Sequence, residues 1–180
     1  MDMVGSYDIP APRQEVWLAL NDPEVLKACL PGCQSFEKTS DTDMKATVVM
    51  KIGPVKATFA GNVKLSDIEP ARGYRITGEG SGGMAGFAKG GAVVRLEDIP
   101  VGTRLTYEAK ADIGGKIAQL GARLIDGVAK KMADEFFGAF STRFGPMDAS
   151  TAAAAPPTAK PGFWNRLTSL WSRMFGSATA

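Results

Sequence analysis

Residues Arg104–Phe144 read RLTYEAKADIGGKIAQLGARLIDGVAKKMADEFFGAFSTRF, and the spacing of their apolar side chains changes partway along. In Arg104–Lys110, Leu105, Tyr107 and Ala109 alternate with polar neighbours, the two-residue period of a strand with one wet face. From Lys116 to Phe144 the apolar residues fall instead at Ile117, Leu120, Leu124, Val128, Met132, Phe136 and Phe140. Steps of three and four predict one long helix with a continuous apolar stripe. Gly121, Gly127 and Gly138 interrupt it, each at a cost of up to about 1 kcal/mol relative to alanine. Close approach of helix to sheet is the expected reason for them, with room for a bound ligand as the alternative.

Upstream, the strand period recurs. Met44, Ala46, Val48, Met50 and Ile52 share one face of a strand, and Val55, Ala57, Phe59, Val63 and Leu65 share one face of the next. Lysines and threonines fill the opposite faces. Before them come a short strand at Val4–Ile9, a helix reading RQEVWLAL after Pro12, and a helix at Glu24–Cys29 opened by Asp22-Pro23 and closed by Pro31-Gly32. The order β–α–α–many β–long α is an α+β domain in which a curved antiparallel sheet wraps a C-terminal helix. An apolar cavity between the two layers is the usual place for a small molecule in such an arrangement. Its expected lining is Met50, Phe59, Met84, Phe87, Leu120, Leu124 and Val128, residues that plain core packing would also use.

Downstream, residues 147–162 (MDASTAAAAPPTAKPG) are too poor in large apolar side chains to build a core and read as a flexible linker stiffened at Pro156-Pro157. Residues 163–176 follow as an amphipathic helix. Phe163, Trp164, Leu167, Leu170, Trp171, Met174 and Phe175 form one stripe, and Arg166 and Arg173 lie on the other face with no acid beside them. At 1.5 Å per residue the stripe spans about 20 Å, too short to cross a bilayer. Aromatic rings for the headgroup boundary and arginines for anionic lipid fit a helix lying in a membrane surface, and burial of seven large side chains supplies several kcal/mol. A groove on a protein partner is the competing occupant. The domains are therefore 1–146, 147–162 and 163–176.

The charge distribution agrees. The chain of 180 residues carries 21 Lys and Arg against 19 Asp and Glu. Residues 1–146 are balanced, and the excess comes from Lys160, Arg166 and Arg173 facing Asp148 alone. A net charge of +2 gives no field that would gather nucleic acid. The absence of histidine removes His-assisted nucleophiles, His metal sites and the commonest general base. Cys29 and Cys33 bracket Leu-Pro-Gly and cannot close a four-ligand zinc site; two small residues at a turn are expected, with a redox pair as the alternative. Gly78-x-Gly80-x-x-Gly83 matches a dinucleotide-binding pattern but lies among strands, with no helix after it. A mobile flap over residues 78–91, tipped by Met84 and Phe87, is a weaker reading of the same segment. No paired carboxylates stand out, so no enzyme is expected. With no basic-then-apolar leader in MDMVGSYDIPAP, a cytoplasmic location is expected.

Four stretches together resemble the carbon monoxide dehydrogenase G-subunit family of the START-like, helix-grip superfamily. They are DPEVLKACLPGCQSFE, IGPVKATFAGNVKL, GSGGMAGFAKGGAVVRL and GTRLTYEAKADIGGKIAQLGARLIDGVAKKMADEFF. The resemblance covers residues 1–145. It implies a non-catalytic accessory protein that brings a molybdenum-containing carbon monoxide dehydrogenase, or a related hydroxylase, to the inner face of the cytoplasmic membrane. It implies also a helix-grip cavity suited to a quinone or another lipid, with no covalently bound cofactor. A lipid carrier that docks on no enzyme, and a cyclase- or hydrolase-type enzyme, are the alternatives.

Overall fold

The computed structural model describes residues 1–145. The linker and the amphipathic helix expected at 147–162 and 163–176, with Phe163, Trp164, Arg166, Leu167, Leu170, Trp171, Arg173, Met174 and Phe175, lie outside the described residues.

Seven strands form a single antiparallel sheet. They are β1 (Asp2–Ile9), β2 (Cys33–Lys38), β3 (Asp43–Ile52), β4 (Val55–Glu69), β5 (Gly73–Ser81), β6 (Phe87–Ile99) and β7 (Gly102–Gly114), in the spatial order β1-β7-β6-β5-β4-β3-β2. Consecutive strands from β2 to β7 are neighbours, as short connections dictate. Only the passage from β1 to β2 crosses between sheet edges, and it carries α1 (Arg13–Leu20) and α2 (Pro23–Cys29). The Asp22 carboxylate caps α2 by accepting from the backbone N–H groups of Glu24 and Val25, and Pro23 occupies the first turn where its missing N–H costs nothing.

The alternation seen in the sequence is the alternation of the sheet. Met44, Ile52, Phe59, Leu65 and Leu105 are buried on one face, while Lys45, Lys51, Lys56 and Lys64 are exposed on the other. The main core joins this inner face to Val16, Trp17 and Leu20 of α1 and Val25 and Cys29 of α2.

The long C-terminal helix is shorter than its apolar stripe suggests. A one-turn 3-10 segment, Ile117–Leu120, ends at Gly121 with φ +91°, and α3 begins only at Ala122, running to Thr142. Gly121 takes a backbone conformation that other residues avoid, so it resets the chain direction between the two helical pieces. The expected explanation of the helix glycines fails: side chains placed at Gly121, Gly127 or Gly138 would meet nothing within 4 Å. These glycines face open space and are not close contacts.

The last turns of α3 enter the main core. Phe140 is completely buried, with Phe136 stacked and Phe144 edge-on against it. Phe140→Ala is expected to lower the unfolding free energy by about 3–5 kcal/mol, whereas Gly127→Ala should raise it by up to about 1 kcal/mol through helix propensity alone. Urea titrations of the two variants check both signs.

Candidate functional site

The inner face of the sheet has an unusual middle. Its register sets Ala46, Gly61, Gly80, Ala88 and Ile113 in one row across β3 to β7. The next row is Met44, Val63, Gly78, Gly90 and Ala111, and the third is Leu65, Ile76, Ala92 and Ala109. Glycine and alanine therefore dominate the centre of β4 to β7, with larger residues only toward the ends and the β3 side. In α+β packing, side chains from both layers must meet to exclude water. Here the sheet offers almost none. Ala46, Gly61, Gly78, Gly80, Ala88, Ala92 and Ala109 stay half-buried, and Gly90 is exposed.

Large side chains stand on either side of this floor. The main core bounds it at one end with Tyr74, Val94, Leu96, Leu105 and Phe140. A second apolar cluster bounds the other end: Ile52, Phe59, Ala85 and Ile117 are buried, with Met50, Ala57, Ile113, Leu120 and Val128 packed against them. Helix α3 joins the two clusters through Val128 at one end and Phe136, Phe137 and Phe140 at the other. Ala129, Met132 and Ala133, between them in the helix, are half-buried and belong to neither cluster. On the β3 side a cleft of about 250 Å³ opens between sheet and helix, lined by Pro31, Val49, Met50, Val128 and Met132 together with the charged Lys51, Lys131 and Glu135. A larger cleft, about 790 Å³, belongs to the polar side of the sheet, where Lys45, Lys64 and Lys89 interleave with Asp43, Glu79 and Asp112.

The β1 side of the groove is polar. The Tyr7 hydroxyl donates to Oδ1 of Asp134 at 2.7 Å, and Lys130 Nζ donates to the other oxygen at 3.2 Å. The Tyr7 ring stacks on Phe137 with centroids 4.2 Å apart, and Tyr107 lies nearly parallel to both. The two hydrogen bonds, Tyr7 first, hold the Asp134 carboxyl below its ordinary value. Burial, reinforced by Asp134, pushes the Tyr7 phenol well above the usual tyrosine range.

Four of the seven expected lining residues, Met50, Phe59, Leu120 and Val128, meet in the second apolar cluster. The other three do not face the groove. Met84 is 82% exposed on the β5–β6 connection. Phe87 is 47% exposed because it shares strand parity with Lys89 and Arg95, so its ring covers Gly114 on the outer side. Leu124 is 38% exposed at the start of α3, beside Gly53 of the β3–β4 turn. The expected flap over residues 78–91 is also corrected. Gly78–Ser81 complete β5 and Phe87–Gly91 begin β6, so most of the segment is paired sheet and only Gly82–Gly86 connects the strands. The segment's glycines supply floor where a flap was expected, and the signal for this lay in GEG and AKGGA, where small residues recur at every second position.

The remaining motifs are placed without chemistry. Gly78-x-Gly80-x-x-Gly83 runs from a strand into a single 3-10 turn. Cys29 is buried, Cys33 half-buried, and both are free thiols raised by burial, the opposite of an activated nucleophile. Among the described residues no cluster of three metal-ligating side chains occurs, and no helix is long and apolar enough to cross a membrane.

Folding stability should carry the signature of the Tyr7–Asp134 pair. A carboxyl held low in the folded state stabilises fully above its unfolded value, near 3.8, and loses that contribution as pH falls through the folded value. Denaturation midpoints followed from about pH 6 to about pH 2 should therefore drop less steeply on the acid side in Asp134→Asn than in the parent protein.

Known proteins share both the sequence pattern and this architecture. Residues 5–145 match the family model described as the carbon monoxide dehydrogenase G-subunit (CoxG). A conserved protein from Geobacillus kaustophilus of known structure is 33% identical, with a TM-score of 0.75 over 79% of this chain and 94% of its own. Proteins from Rhizobium leguminosarum (18% identity, TM-score 0.60, 78% of this chain and 93% of that one) and Thermus thermophilus (16%, 0.60, 86% and 100%) share the fold. No curated protein matches the sequence significantly. The chain belongs to the CoxG family and has a START-like helix-grip fold.

Proposed function

We propose that this member of the CoxG family is a non-catalytic accessory protein that carries a molybdenum hydroxylase of the carbon monoxide dehydrogenase type to the inner face of the cytoplasmic membrane. There it holds a quinone or similar lipophilic molecule beneath α3, linking the enzyme to the respiratory chain. The observation that carries the reading is the inner floor of Gly61, Gly78, Gly80, Ala88, Ala92 and Ala109, apolar and half-buried under a helix. A protein with no ligand to hold gains by filling such a space, because each buried methylene adds roughly 0.8 kcal/mol. Met50, Phe59, Leu120 and Val128 form the apolar wall at one end. The amphipathic stripe Phe163–Phe175 supplies the membrane contact, with Arg166 and Arg173 on anionic headgroups. Family membership supports the enzyme partner.

Co-sedimentation with vesicles of mixed neutral and anionic phospholipid tests the membrane half. The full chain should pellet, more strongly as anionic lipid rises. Trp164→Ala combined with Trp171→Ala should weaken partitioning by about tenfold or more, and the purified hydroxylase should pellet only when the parent chain is present. A chain that stays in solution with every lipid, or a hydroxylase that never follows it down, contradicts the proposal.

A further inference from the structure

Three connections meet at one end of the domain: the β3–β4 turn at Gly53-Pro54, the β5–β6 connection at residues 82–86, and the passage from β7 to α3 at residues 115–121. Ile52, Ala85 and Ile117, which belong to or border these connections, are buried together in the second apolar cluster. The backbone of Gly115 lies against Gly86, and Leu124 lies beside Gly53. Outside this cluster, apolar and basic side chains share the surface. Met84 stands almost wholly in solvent on the β5–β6 connection, and Leu124 is exposed in the first turn of α3. Lys51, Lys56, Lys116 and Arg123 are exposed around them, and none forms an ion pair among the described residues.

The placement of these charges works against stability twice. Lys51 and Lys56 sit directly opposite each other across β3 and β4, a like-charge pair that weakens a sheet. Arg123 occupies the first turn of α3, which holds no acid and where the helix dipole disfavours a cation. Acids at this end are few. Asp112 faces Lys89 across the outer surface of the sheet, Asp126 lies in the second turn of α3, and Glu135, which borders the same cleft as Lys51, is engaged by Lys131. The opposite end differs, because the pairs Arg13–Asp98, Arg75–Asp67 and Arg104–Asp8 all lie there.

We propose that this end of the domain is a second membrane-contact face, with Met84 and Leu124 entering the headgroup boundary of an anionic bilayer and Lys51, Lys56, Lys116 and Arg123 lying on its phosphates. The inference rests on the membrane reading proposed above and gives that reading a contact made by the folded domain itself. Exposed apolar side chains gain by leaving water, and each cation near an anionic surface adds attraction without a partner of fixed shape. A fluid anionic surface touches all three connections together, which accounts for unpaired cations and bare apolar side chains at one end.

The test uses the full chain carrying Trp164→Phe and Trp171→Phe, which keep the aromatic stripe and leave Trp17 of the main core as the remaining indole. In that background Met84→Trp reports on this end, and Val101→Trp, also at an exposed position, reports on the other. With phosphatidylcholine–phosphatidylglycerol vesicles whose acyl chains are brominated, Met84→Trp fluorescence should be quenched and Val101→Trp fluorescence should not. Lys51→Gln combined with Lys56→Gln in the otherwise unaltered chain should weaken partitioning into these vesicles about tenfold. Its thermal midpoint should stay or rise, because a like-charge pair has been removed. A Met84→Trp chain that pellets with the vesicles yet is quenched no more than Val101→Trp overturns this inference and leaves the membrane reading standing. So does a lysine variant that keeps full lipid affinity and loses only the co-pelleting of the hydroxylase, which would assign this end to an acidic surface of the enzyme. If the parent chain pellets with no vesicle, the membrane reading fails first and takes this inference with it.

Discussion

A helix and a sheet hold together through the side chains between them, and the centre of this sheet has almost none to give. That constraint shapes the rest of the molecule. Gly61, Gly78, Gly80 and Gly90, with Ala46, Ala88, Ala92 and Ala109, fall into register across five strands, so α3 finds few partners along its middle. It is fastened at its ends instead. Phe136, Phe137, Phe140 and Phe144 drive one end into the main core, and Val128, with Leu120 of the preceding turn, closes the other. The Tyr7–Asp134 hydrogen bond ties the helix to the edge strand between.

The packing of α3 is therefore concentrated in two separate clusters. The aromatic end of α3 supplies packing that is insensitive to what lies beneath the middle of the helix. The smaller cluster at the other end spans the left-handed Gly121, with Ile117 and Leu120 before it and Val128 after it. Gly127 and Gly138, where a side chain would meet nothing within 4 Å, lower helix propensity without any packing return. Between the helix and the β3 side lies the cleft lined by Met50, Val128 and Met132, with Lys51, Lys131 and Glu135 at its charged border.

Much of the architecture was legible in the spacing of apolar residues. The alternation of Met44–Ile52 and Val55–Leu65, the Asp22-Pro23 start and the change of period after β7 follow from local rules. Residues 116–121 read as helix because Ile117 and Leu120 continue the stripe, yet Gly121 breaks it; periodicity reports which residues face inward and not whether the chain between them is continuous. Phe87 and Met84 read as lining because large apolar residues favour interiors, but strand parity puts Phe87 outside. The floor was hidden for a different reason. A glycine carries no hydrophobic signal, and that Gly78 faces Gly90 depends on register between strands, a long-range property. Tyr107 was recognisable as an inward polar group; its pairing with Gly5 and Phe137 was not, since those contacts join residues far apart in sequence.

The proposed function gives the small residues at the middle of the sheet their use, a space that a lipophilic molecule would fill. Native mass spectrometry of the full chain, purified gently from a respiring host, tests this most directly when run beside Gly80→Val. A Cβ at position 80 meets only ordinary contacts at 3.8 Å and valine suits a strand, so the variant should fold. The account predicts a single lipophilic molecule bound per parent chain, released on activation in the gas phase, and a bare chain for Gly80→Val with an equal or higher thermal midpoint. A parent chain found without any such molecule, or a Gly80→Val chain carrying the same one, would contradict it.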